Sequence, residues 1–206
     1  MRDIKLPPKM KTIAKIAKTY FNNMIIRGDH ITGTPKDVFS GITLYPTIPF
    51  QPEWDNVEFV NTTYAMLCFN HLKPKSTVIT ETDTEIIMNG VDSGVSYELK
   101  GIKRTSDDDP LYEKYENCWL LKDKLEYYAV PGDKLDVLKR HNVASLDFDN
   151  TRIIISGSSF SFDKSFQSLY YGRVPIDIPT CDEIVMFKVE YEVLTAYMIS
   201  GILLYG

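Results

Sequence analysis

Apolar and polar positions alternate most cleanly near the end of the chain. In Ile184 to Val193 the residues Val185, Phe187, Val189, Tyr191 and Val193 are apolar while Lys188, Glu190 and Glu192 are charged. A period of two places the charges on one face of a strand, whereas a helix scatters them around its axis. Thr180 and Glu183 carry the competing spacing of a helix capping box. Beyond Val193 runs a nearly uncharged tail, LTAYMISGILLYG, that some surface must cover.

At the other end the period changes to that of a helix. Behind an expected arm of residues 1–8 ending in Pro7-Pro8, apolar residues recur at Met10, Ile13, Ala14, Ala17, Tyr20, Phe21, Met24 and Ile25, and Gly28 is placed to close the helix. Lys11, Lys15 and Lys18 occupy the opposite side. Three readings of this basic amphipathic helix stand side by side: packing on its own domain, docking on a neighbouring subunit, and binding a membrane surface.

Between these ends the pattern is mainly β. Pro35, Pro46, Pro49 and Pro52 predict a wrapping loop with a short strand near Ile42 to Tyr45. Val57 to Phe69 reads as a strand buried in its second half, and Ser76 to Ile102 as a hairpin or meander turning near Asn89-Gly90. Asp109 as cap and Pro110 at the first position predict a helix to about Glu126, its face marked by Leu111, Tyr115, Cys118 and Trp119. A second helix follows from Asp133 to His141. Strands are expected over Val143 to Phe148 and Thr151 to Ser156, with a turn at Asp149-Asn150. The expected fold class is α+β and β-rich: a mainly antiparallel sheet or sandwich, an N-terminal amphipathic helix and two inserted helices. In domain terms, 1–28 form the arm and helix, and 29–206 a single β-rich domain with its helical insertion near 109–142.

Composition narrows the function classes. A length of 206 residues, 44% apolar and 25% charged, describes a folded chain with a sizeable core. The net charge of −5 argues against a general nucleic-acid binder and leaves room only for a local basic patch. Cys68, Cys118 and Cys181 are odd in number, and the chain has no CxxC, so neither a disulfide framework nor a zinc knuckle is expected. No signal peptide is expected from the charged start, and the tail is too short for a membrane-spanning helix. The sequon Asn61-Thr62-Thr63 is read as chance without a secretory signal.

One stretch carries candidate chemistry. Asp147-Phe148-Asp149-Asn150-Thr151 resembles the DxDxT motif of haloacid-dehalogenase-type phosphatases, which implies Asp147 as nucleophile, Asp149 as acid and base, and a magnesium ion. The chain departs from that family downstream of the motif. Only 55 residues remain after Thr151, and Ser156 comes too soon to lie on a neighbouring parallel strand. A plain hairpin explains the same residues. His30, His71 and His141 have no HxxxH or HExxH spacing, and Cys68 with His71 forms a nucleophile pair only if the fold joins them. An Asp107-Asp108-Asp109 metal site lacks the alternating ligands and glycine of a calcium loop. No metal, cofactor or catalytic residue is therefore expected.

Thirteen tyrosines and ten phenylalanines, a helix behind an arm, a proline-rich loop and an apolar C-terminus are devices by which subunits interlock. In this the chain is similar in style to the neck, connector and tail ring proteins of tailed bacteriophages. The resemblance implies a homo-oligomeric virion protein, assembled in the host cytoplasm. It would partner copies of itself and other structural proteins, with no specific nucleic acid and no membrane. Met10, Ile13, Ala17, Tyr20 and Phe21 on the helix, with Leu194, Tyr197, Met198, Ile202, Leu203, Leu204 and Tyr205 on the tail, are the expected interface. A monomeric ligand- or peptide-binding module is the alternative outside both assembly and catalysis.

Overall fold

A computed structural model describes residues 4–36, 41–106, 109–130, 132, 143–148, 153–157, 165–174 and 184–199, with backbone alone over 143–148 and 153–157 and at 111, 173, 184 and 185. The second inserted helix, the 180–183 capping box, Asp149, Cys181 and the tail residues Ile202, Leu203, Leu204 and Tyr205 lie outside the described residues. The chain divides into two compact units, the first comprising 1–36 and 44–108, the second 37–43 and 109–206.

In the first unit, helix α1 spans Met10–Tyr20 and buries Met10, Ile13, Ala14, Ile16, Ala17 and Tyr20. It is therefore part of that unit's core. It ends before Gly28 because Phe21 turns extended at φ −125° and ψ 146°, donating its N–H to the Ala17 carbonyl. Met24 and Ile25 then belong to strand β1, Met24–Ile26, paired antiparallel with β2, Ile31–Thr32. The N-terminal segment is laid against the same unit: Pro7 is buried and the Lys5 carbonyl accepts from the Trp54 indole at 3.0 Å. Strand β3, Gly41–Pro46, covers the strand foreseen in the proline-rich passage, and a 3-10 turn over Pro52–Trp54 leads into β4, Val57–Phe59.

The expected strand from Val57 to Phe69 stops at Phe59, and a helix takes its place. Asn61 caps α2, Thr62–His71, its side-chain oxygen accepting from the Tyr64 N–H at 2.9 Å. Thr62, Ala65, Cys68 and Phe69 form the buried side, a helical spacing that a mostly apolar run conceals. The helix packs against α1 and against strands β6, Glu85–Asp92, and β7, Val95–Lys103. Strand β5, Val78–Glu81, completes an antiparallel meander. Its tight turn lies at Ser93 and Gly94, with φ 51° and 80°, so Asn89-Gly90 sits inside β6. Gly90 belongs there because a Cβ would come within 2.8 Å of the Leu72 Cδ2 atom. The strand order in this unit is β5-β6-β7-β4-β1-β2-β3.

The second unit begins its helical part at Asp109, whose side chain accepts from the Tyr112 N–H over Pro110, as the residue types predict. The single helix foreseen to Glu126 is instead two, α3 over Pro110–Glu113 and α4 over Glu116–Leu121. Trp119 is buried, donates to the Tyr112 carbonyl at 3.1 Å, and lies with Tyr115 against Gly41, where any side chain would collide. Strands β8, Tyr128–Ala129, β9, Val143–Phe148, and β10, Ile153–Gly157, come next. Then β11, Ser168–Val174, β12, Ile184–Glu190, and β13, Leu194–Ile199, follow. Their order is β13-β12-β11-β8, while β9 and β10 pair separately.

The C-terminal strand foreseen from Ile184 to Val193 is thus the first arm of a hairpin, closed where Tyr191 N–H meets the Leu194 carbonyl at 2.9 Å. Phe187, Val189, Tyr191 and Val193 are buried as the alternation requires, and Lys188 pairs with Glu190 at 2.8 Å. In the described part of the apolar tail Leu194, Ala196, Tyr197, Met198 and Ile199 are buried. Within each unit the strands pair antiparallel, and the fold is α+β and β-rich.

Candidate functional site: an open sheet edge beside a charged clasp

The β5-β6-β7 meander has two unlike faces. Ile86, Met88 and Leu99 point inward and are buried. On the outer face Val78 stands opposite Asn89, diagonal to Ile87 and Val91, and Val78 and Val91 are 65% and 58% exposed. Strand β5 ends the sheet order of this unit, so one of its edges faces no strand of the unit. Sheet edges in native proteins are commonly guarded by charge, proline or a bulge. Here Val78, Ile79 and Thr80 offer none of these, and the one charge on the strand, Glu81, is engaged by Lys103, whose ammonium also donates to the Thr82 carbonyl at 2.9 Å.

A polar clasp ties the helix to the tip of the same meander. His71, in the last turn of α2, meets Asp92 Oδ2 through Nδ1 at 3.0 Å, and Lys73 donates to Asp92 Oδ1 at 2.6 Å. The Lys73 ammonium first and the imidazole second hold the Asp92 carboxyl at about 2, well below the ordinary range. The His71 ring stacks on Tyr97, their centroids 4.5 Å apart.

One and two turns earlier on α2, the Cys68 thiol and the Tyr64 hydroxyl both donate to the Glu98 carbonyl, at 3.8 and 2.9 Å. Strand β4 pairs with β7 only at Ile102 and Lys103, so these side chains satisfy a carbonyl that no strand reaches. Burial pushes the Cys68 thiol up, against a smaller lowering effect of Tyr64. A protonated, buried thiol bound to a backbone oxygen, beside a histidine turned to a carboxylate, is a structural pair and does not assemble the nucleophile considered from sequence. Nothing in the sequence linked His71 to Asp92; only the meander's register brings them together.

In the second unit, β8 pairs with β11 at Tyr170 and Tyr171, Val130 N–H donates to the Leu169 carbonyl at 3.0 Å, and Glu126 and Tyr127 lie against Gly172. Tyr197 on β13 donates to Asp123 at 3.4 Å, and Tyr127 donates to the Met186 sulfur at 3.2 Å. Burial first pushes both phenols far above their ordinary range, followed at Tyr127 by Tyr197 and Asp123 and at Tyr197 by Asp123. Lys188 lies over both Tyr127 and Tyr170, at 5.4 and 5.2 Å.

The described residues among those expected to form an interface are buried. Met10, Ile13, Ala17, Tyr20 and Phe21 are at most 3% exposed, and Leu194, Tyr197 and Met198 at most 5%. Side chains so enclosed by their own chain leave little of their apolar area on the surface. Asp147 lies on β9 opposite Ile154 of β10 in an antiparallel register. That is the hairpin reading of the stretch; the phosphatase resemblance calls for a parallel strand followed by a helix. Among the described residues no group of three or more His, Cys, Asp or Glu is placed to hold a metal ion, and no helix is long and apolar enough to cross a membrane. Compared with known proteins, the chain matches no family model, no curated protein and no solved structure.

Proposed function

We propose that this chain is a non-enzymatic structural subunit that assembles with copies of itself, with β5 as the strand that meets a neighbour. The observation that carries the reading is the unguarded edge of β5, where Val78 projects 65% exposed beside Val91. An extended strand with unmet N–H and C=O groups gains main-chain hydrogen bonds when another strand is added, and outward-facing valines add apolar burial. Joining β5 to a different surface of the next copy is a head-to-tail contact, which closes a ring when the rotation allows; joining β5 to β5 closes a dimer. A head-to-tail ring is the assembly that the resemblance to phage connector and tail ring proteins implies, and a virion is the setting that resemblance supplies.

Light scattering across a range of protein concentrations tests this. A discrete oligomer that falls to monomer in the Val78→Lys, Thr80→Lys double variant is the expected result; both positions are exposed, so the unit should fold unchanged. A monomer at every concentration, or an oligomer indifferent to the two lysines, would overturn the reading.

A further inference from the structure

The charge on α1 runs against the rest of the chain and against the helix's own preferences. Residues 4–20 hold five lysines and no acidic residue, in a chain of net charge −5. At 100° per residue Lys11, Lys15 and Lys18 fall within about 60° of one another, opposite the buried Met10, Ile13, Ala17 and Tyr20. Lys11 and Lys15 are exposed and Lys18 is half-buried. Like charges at these spacings destabilise a helix, and a lysine near the positive N-terminal end of the dipole adds to the cost. The first turn has no acidic residue to offset it. Lys18 in the last turn suits the dipole, so the mismatch lies at Lys11 and Lys15, for which no ion pair is found among the described residues, and a locally unfavourable cluster of this kind is a candidate functional position.

We infer that the lysine face of α1 binds the phosphate backbone of nucleic acid without reading its sequence. Lys11 to Lys18 spans about 10 Å of helix, the axial length over which one strand of a duplex carries about three phosphates. Thr12 and Thr19 flank the lysines and bring hydroxyl donors, a side chain commonly used on phosphate oxygens. An anionic membrane is the competing polyanion. Interfacial helices hold to lipid by sinking an apolar stripe into the headgroup boundary. The stripe of α1 is spent in the core of its own unit, with Ala14 and Ala17 at 0% exposure. What remains for a partner is charge and hydroxyls, which suits a phosphate backbone. A net acidic chain carrying such a face would hold nucleic acid locally and weakly, with strong dependence on salt.

The test is fluorescence anisotropy of a labelled random-sequence DNA duplex titrated with the full chain at several salt concentrations. The expected result is binding at low salt whose logarithm falls with the logarithm of salt at a slope of about −3 for each bound chain. Lys15→Gln should lower that slope by about one, and the triple Lys11→Gln, Lys15→Gln, Lys18→Gln variant should abolish binding. The matching triple arginine variant should retain it, which separates lost charge from a lost fold. Absence of binding at low salt would overturn the inference. So would binding that survives the triple glutamine change, or binding to phosphatidylserine vesicles with none to the duplex.

Discussion

The imidazole of His71 lies flat on the phenol ring of Tyr97, with planes only 5° from parallel, while its Nδ1 faces Asp92. The end of α2 and the tip of the β6-β7 hairpin are thereby held as one piece, and the hold depends on pH. Asp92 is depressed to about 2 in the folded chain, against about 3.9 for a free aspartate. A depressed carboxylate stabilises the fold above its unfolded value, and that contribution is lost as pH falls from about 4 through about 2. Denaturant unfolding followed over that window should show Asp92→Asn less stable than the parent at neutral pH, with the gap closing as acid is added.

The buried phenols of the second unit give the mirror effect in alkali. Tyr127 and Tyr197 keep their protons well past the ordinary value of about 10. Once the unfolded chain ionises there and the folded chain does not, stability declines with rising pH. In a spectrophotometric titration these two tyrosines should ionise only together with unfolding of the unit. Tyr197→Phe should move that unfolding to higher pH.

Asn61 is the cap that makes α2 a helix, through its bond to the Tyr64 N–H. Asn61→Ala should cost ~1 kcal/mol in denaturant unfolding, and Asn61→Asp should cost little, because either side chain accepts the same bond.

Gly101 has no room for a side chain. A Cβ there would stand 2.5 Å from Val57 Cγ1 and 3.2 Å from two Phe59 ring atoms, whereas one at Gly28 meets nothing within 4 Å. Gly101→Ala should destabilise by ~1–3 kcal/mol as an overpacked core does, and Gly28→Ala should cost clearly less. Val57→Ala made in the Gly101→Ala background should recover part of the loss.

The parts of this fold that follow from periodicity were legible in the sequence, and those that follow from partners were not. The α1 spacing and the Asp109-Pro110 start rest on local rules, and both elements begin where those rules place them. The end of α1 escaped because Met24 and Ile25 continue the helical spacing while serving as β1. The run Tyr64 to Phe69 is mostly apolar and so carries little period, and its cap at Asn61 was the available signal for a helix. Asn89-Gly90 looked like a turn because its residue types suit one. Its place is decided by the closeness of Leu72, which is a tertiary fact. The lysine face of α1 was visible from its spacing alone. The open edge of β5 was hidden, since which strand ends a sheet depends on pairings between residues far apart.

The chain has two tryptophans, and each compact unit holds one. Trp54 and Trp119 are 0% and 2% exposed, and each indole donates to a backbone carbonyl, of Lys5 and of Tyr112. The molecule thus carries its own pair of emission probes. Trp54→Phe leaves a chain whose fluorescence reports the second unit alone, and Trp119→Phe one that reports the first. Coincident melting curves from the two variants would make the chain a single cooperative folder. Separated curves would make it two folding units on one thread, each open to loss without the other.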